Sequence, residues 1–273
     1  MKFKKILLAV TAVAAALTLA ACSSSGSSSK HTYTVGVAGN SDQQIWEQVA
    51  KDVKSDGITL KVKMFSDYTL ENPSVQDGSL DLNAFQHQAF LNNWNQENHG
   101  DLVSIGTTYI SPFGLYSKKI KSYKDLKDGD TVAIPNDPTN GGRALQLLAA
   151  IGDITLKKDA PSSPQLKDIE KYNKKITIKE LQADQIVAAL PDVTAACINT
   201  DYVVDQMKTT PAKSALYIDT DHPDQVNSIY KNLIAVKKSN KDNADFAKIV
   251  KAYQTDKIAA MIKTTGNIPA FGK

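Results

Sequence analysis

The chain has 273 residues, room for one large or two medium domains, and carries 32 basic against 29 acidic side chains. Three of those lysines (Lys2, Lys4, Lys5) sit in an apolar leader, and without it the balance is 29 against 29. The basic excess therefore belongs to the leader, and it gives no case for a nucleic-acid partner.

Residues 6–21 are apolar or small, broken only by Thr11 and Thr18, and too short for a comfortable membrane span. The run ends Leu19-Ala-Ala-Cys22. A Cys directly after two small residues resembles a bacterial lipoprotein cleavage site, with 1–21 as signal peptide and Cys22 the lipidated N-terminus. Residues 22–30 then form a Ser/Gly tether with nothing to bury. The alternatives are a secretory signal with an incidental Cys22, or an uncleaved anchor. With Cys22 lipidated, Cys197 has no partner for a disulfide, and its apolar setting reads as core.

Residues 32–38 alternate as a strand. Ser41-Asp-Gln-Gln44 has the form of a capping box before a helix presenting Ile45, Val49 and Val53. A strand follows with Ile58, Leu60, Val62 and Met64 inward. After the Tyr68 loop come a short helix with Pro73 in its first turn, a strand over 80–85, a helix over 86–94 and a strand over 102–109.

From Phe113 the pattern restarts, with strands over 113–116 and 131–134. Asn136-Asp-Pro-Thr-Asn-Gly-Gly-Arg143 then opens a helix with Arg143 in its first turn. Free N–H groups and the helix dipole attract anions there, and Arg adds a two-pronged donor. Spacing alone does not separate an anion seat from a plain turn. Residues 159–167 read as a loop, 176–181 and 193–198 as strands around a helix, and Asn199 as the start of another helix. Strands at 215–218 and 233–236 precede one long amphipathic helix from Phe246 to Ile262.

Two α/β runs joined near Ser111-Pro112 predict two lobes with two hinge crossings: 31–112 plus 236–273, and 113–235. A ligand would sit between them. Polar and aromatic residues cluster at Tyr68, at Phe85-Gln86-His87, at the Arg143 loop and at Asn199, where α/β proteins place ligand contacts. An α-amino acid needs Arg for its carboxylate, an acceptor such as Asn199 for its ammonium, and a pocket for its side chain. The plainer readings are core for Tyr68 and Phe85, a helix cap for Asn199 and a surface histidine for His87.

No catalytic constellation is visible. His31, His99 and His222 lack metal-ligand spacing, G-x-S-x-G is absent, and Asn140-Gly-Gly-Arg143 lacks the residues of a phosphate or dinucleotide loop. The chain therefore reads as no enzyme, with no metal and no cofactor.

Several motifs together resemble the methionine-binding lipoproteins of the NlpA/MetQ family, which feed an ABC transporter. They are Asp81-Leu-Asn-Ala-Phe-Gln-His87, Tyr116-Ser-Lys-Lys-Ile120, Ile134 through Leu145, Ile198-Asn-Thr-Asp-Tyr202, Asn232-Leu-Ile-Ala-Val236 and Pro269-Ala-Phe271. The resemblance spans the chain after the leader. It implies a periplasmic-binding-protein type II fold, a monomer lipid-anchored on the extracytoplasmic face of the membrane, and an importer permease as partner. By position it makes Arg143 the partner of the ligand carboxylate, with Asn199 and Asn232 as polar contacts. Tyr68, Phe85, His87 and Phe90 would surround a thioether, with Asn140 beside them. The family commonly has Pro-Tyr where this chain has Ala89-Phe90, and Pro-Asn where it has Glu71-Asn72. Both departures lie at the side-chain end and neither touches the carboxylate seat, so an α-amino acid is expected: L-methionine first, with D-methionine, Gly-Met or another apolar amino acid as alternatives. A surface adhesion lipoprotein is the alternative of another class.

Overall fold

A computed structural model describes residues 31–221 and 228–272. The leader, Cys22, the tether and His222 lie outside them. Among the described residues no helix is long and apolar enough to cross a membrane.

Strand β1 (His31–Ala38) runs into helix α1 (Gly39–Asp52) and returns as the parallel strand β2 (Ile58–Phe65). The capping-box expectation fails. The helix starts at Gly39, no side chain of its own caps it, and Asp42 lies buried inside, accepting from Tyr109 Oη at 2.6 Å. Ile45, Trp46 and Val49 pack inward as their spacing requires. Met64 is the misfit in β2: at 40% exposure it leaves the core face and lines a cavity instead.

Helix α2 (Glu71–Asp77) and strand β3 (Leu82–Asn83) follow, the latter much shorter than 80–85. Gln86 leaves that strand to join Asn72 and Asn83 in a buried side-chain network, with Asn72 Nδ2 donating to Gln86 Oε1 at 2.8 Å and Gln86 Nε2 donating to Asn83 Oδ1 at 2.9 Å. Helix α3 (Gln88–Asn98) then leads to β4 (Leu102–Ile110).

The second half holds β5 (Phe113–Tyr116), β6 (Thr131–Pro135), α4 (Pro138–Ala150), the pair β7 (Ile154–Leu156) and β8 (Ile169–Tyr172), then β9 (Thr177–Leu181). Helix α5 (Ile186–Ala189), β10 (Ala195–Asn199), α6 (Thr200–Asp205), α7 (Pro211–Ser214) and β11 (Tyr217–Ile218) complete it. The last part is β12 (Lys231–Lys237), α8 (Ala244–Tyr253), α9 (Asp256–Thr264) and β13 (Ile268–Pro269). Thr255 splits the expected long helix in two, its hydroxyl accepting from Ile258 N as a fresh N-cap.

The strands form two principal sheets. One has the order β13-β4-β12-β3-β1-β2, the other β11-β5-β10-β6-β9. The chain leaves the first sheet after Ile110 and is back in it at Lys231, ahead of the boundary expected at 235, because β12 pairs along β4. Separate apolar clusters pack each sheet: Val35, Trp46, Ile234 and Phe246 in one, Phe113, Val132, Leu148 and Cys197 in the other. The fold is the two-lobe, periplasmic-binding-protein-like arrangement.

Candidate functional site

A cavity of about 230 Å³ lies between the two sheets. That is room for one small organic molecule, since ~150 Å³ already holds a benzene-sized guest. Its floor is the crossing segment Ser111-Pro112-Phe113. All eight residues singled out for ligand contact line it. Tyr68, Phe85, His87, Phe90 and Asn232 come from the first sheet's side, and Asn140, Arg143 and Asn199 from the second's.

The first side presents an aromatic wall. Tyr68 stacks against Phe85 at 6.2 Å between centroids, and Phe90 meets both edge-on at 5.5 and 5.7 Å. His87 is the N-cap of α3, its Nδ1 accepting from Phe90 N at 3.1 Å. Nδ1 is therefore unprotonated, and Nε2 is the donor to Asn140 Oδ1 at 3.4 Å. Burial, reinforced by the Arg143 charge, brings His87 down to about 4, so it is neutral at pH 7. The surface-histidine reading falls. Asn232 bridges His87 in the backbone and donates from Nδ2 to Phe85 O at 3.3 Å.

The second side corrects the reading of the Arg143 loop. Helix α4 begins at Pro138, which puts Arg143 in the second turn rather than the first. The free N–H groups are already taken. Asp137 caps the helix, accepting from Thr139 N at 3.2 Å and Asn140 N at 2.9 Å, with Pro138 at the position where proline costs nothing. No anion seat remains at that helix end; what faces the cavity is the Arg143 side chain itself. Asp137 also accepts from Tyr68 Oη across the cleft at 2.6 Å.

Arg143 is only 4% exposed, stacked 4.6 Å from the Tyr230 ring and 5.2 Å from that of Phe113. Its Nε donates to Asp219 Oδ2 at 2.7 Å, and Nη2 lies 2.6 Å from the same oxygen and donates to Ser111 O at 2.9 Å. Nη1 has no partner among the described residues. Asn199 precedes α6 without capping it by its side chain; Nδ2 donates to Asn140 Oδ1 at 2.9 Å, and its buried Oδ1 has no partner among the described residues. Donor and orphan acceptor thus face one space.

Asp219 escaped the sequence reading because it sits in the acidic stretch Asp219-Thr-Asp221, which reads as a solvated turn. Asp137 was legible, since Asp-Pro before an apolar helix is a cap signal. Cys197 is free, fully buried and pushed up by that burial, which suits core and not chemistry. Among the described residues no group of His, Cys, Asp or Glu is arranged to hold a metal ion.

The NlpA lipoprotein family model matches residues 33–270. The D-methionine-binding lipoprotein MetQ of Salmonella typhi is 40% identical over 263 residues, covering 94% of each chain. A solved structure of the methionine-binding protein MetQ superimposes with a TM-score of 0.83 at 36% identity, over 89% of this chain and 99% of that one. A nutrient-binding protein from Burkholderia cenocepacia, solved bound to methionine, gives 0.82 at 39% identity, over 88% and 100%. Sequence, fold and cavity agree, and the chain belongs to the NlpA lipoprotein family, a family of transport receptors and not of enzymes.

Proposed function

We propose that this chain is a lipid-anchored receptor that encloses L-methionine between its two lobes and delivers it to an ABC importer. The observation that carries the reading is the meeting of three complementary features in one cavity. Arg143 Nη1 offers a donor edge to a carboxylate, Asn199 Oδ1 offers an acceptor to an ammonium, and Tyr68, Phe85 and Phe90 offer ring edges to a thioether. The relatives' binding of methionine supports the same ligand class. Cys22, retained on the membrane by its lipid, would tether the receptor near its permease.

A second reading has specific support, because the MetQ relatives are named for D-methionine. Calorimetric titration with L-methionine, D-methionine and Gly-Met tests both. The L-isomer is expected to bind tightest; a tighter D-isomer or dipeptide would move the assignment to that ligand. Absence of heat and of thermal stabilisation with all three would end the methionine reading.

A further inference from the structure

The pair Arg143–Asp219 does more than hold a side chain still. Both residues are removed from water, at 4% and 6% exposure. Asp219 Oδ2 engages Nε and Nη2 together, which fixes the guanidinium plane, and Oδ1 accepts from Phe113 N at 2.9 Å, which ties that plane to the cavity floor. Only the Nη1 edge is left to face a ligand.

The same contact also sets the charge of the cavity. Arg143 is the one cation among its lining residues, because His87 is neutral, and Asp219 cancels it. The other charge-bearing groups close by are carboxyls: Asp137 against Tyr68, and Asp201 and Asp205 in the cavity lining. A carboxylate arriving alone would bring an uncompensated negative charge into a buried, already neutralised site, which is costly. A zwitterion carries its own compensating ammonium, and Asn199 Oδ1 stands free to accept from it.

The geometry points to Asp219 as a positioning residue that orients Arg143 and makes the cavity select net-neutral amino acids over net-anionic carboxylates. This rests on the reading of Arg143 as carboxylate partner in a methionine receptor. Its test is calorimetry of the wild type, Asp219→Asn and Asp219→Glu with two probes, L-methionine and its deaminated analogue 4-(methylthio)butanoate. The wild type should strongly prefer the zwitterion. In Asp219→Asn that preference should shrink by about tenfold or more, the size of one buried charge-assisted contact, as the anion gains on methionine. Asp219→Glu keeps the charge, so its preference should stay within about threefold of wild type even if both affinities fall. A purely structural Asp219 would weaken both probes in proportion in Asp219→Asn, and that result overturns the assignment. If Asp219→Asn does not fold, Asp219→Glu decides: a lost preference with the charge retained overturns it. If the wild type binds neither probe, the methionine reading has failed and this inference falls with it.

Discussion

Arg143 serves two purposes that substitutions can separate. In the unliganded protein it is the sole ion-pair partner of Asp219 among the described residues, so Arg143→Ala leaves a carboxylate buried and unpaired. That should cost about 3–5 kcal/mol of unfolding free energy by urea titration. The double variant Arg143→Met with Asp219→Asn removes both charges and keeps an acceptor for Phe113 N. It should recover much of that stability while methionine affinity stays lower by about 2–5 kcal/mol. Wild-type stability in Arg143→Ala would refute the pairing, and wild-type affinity in the double variant would refute the ligand role. The sequence exposed half of this. Arg143 was legible because it follows a polar Asn-Gly-Gly stretch at a helix opening, where an Arg suits an anion, whereas Asp219 lies 76 positions away in an unremarkable acidic turn, and only the fold joins them.

Helix α1 owes its start to a side chain from another element. Ala38 at its N-cap offers no acceptor, and Asp205, at the end of α6 on the far side of the cleft, accepts from Asn40 N at 2.6 Å. Gly39 makes this approach possible twice over: its φ is +83°, and a Cβ there would clash with Asp205 Oδ2. Asp205→Ala should therefore cost about 0.5–2 kcal/mol, as for a lost cap, and should weaken ligand binding because the contact joins the two sides of the cleft. Gly39→Ala should cost more, through strain as well as collision. Combined with Asp205→Ala, it should cost less than the sum of the two, since the collision is with Asp205 itself. Strict additivity of the unfolding energies would show that the contact is not made. Local periodicity made the strands and most helices readable. It could not reveal a cap supplied from a distant element, so Ser41-Asp-Gln-Gln44 looked like the start when Gly39 was. Nor could it separate α8 from α9, whose apolar positions continue one stripe through the Thr255 break.

The two halves of the molecule meet through carboxyl groups as well as through the cavity. Asp42 from α1, Glu71 from α2, and Asp201 and Asp205 from α6 gather at this junction, and none has an ion-pair partner among the described residues. Glu71 is fully buried with neither oxygen hydrogen-bonded among the described residues, and burial, then the charges of Asp42 and Asp201, pushes it upward. Asp201 is raised to about 7, first by burial and then by Asp205. The sign follows from proton counting. Between an ordinary aspartate value near 3.8 and about 7, the folded protein holds a proton on Asp201 that the unfolded chain has released. Stability from this group is therefore fully present below that window and is lost as pH rises through about 7. Asp201→Asn cannot ionise, so it should flatten the fall in thermal midpoint from about pH 5 to about pH 8. At the upper end it should be the more stable protein by roughly 1–3 kcal/mol, discounted for the group's partial exposure. His87, lowered to about 4, works in the opposite sense, adding stability as pH rises from about 4 to its ordinary 6.5, but it is common to both proteins and drops out of the difference between them. Identical pH profiles for the two proteins between about pH 4 and pH 7 would mean that Asp201 is already ionised where the lobes meet. The junction would then be held together against its charge rather than by taking up a proton.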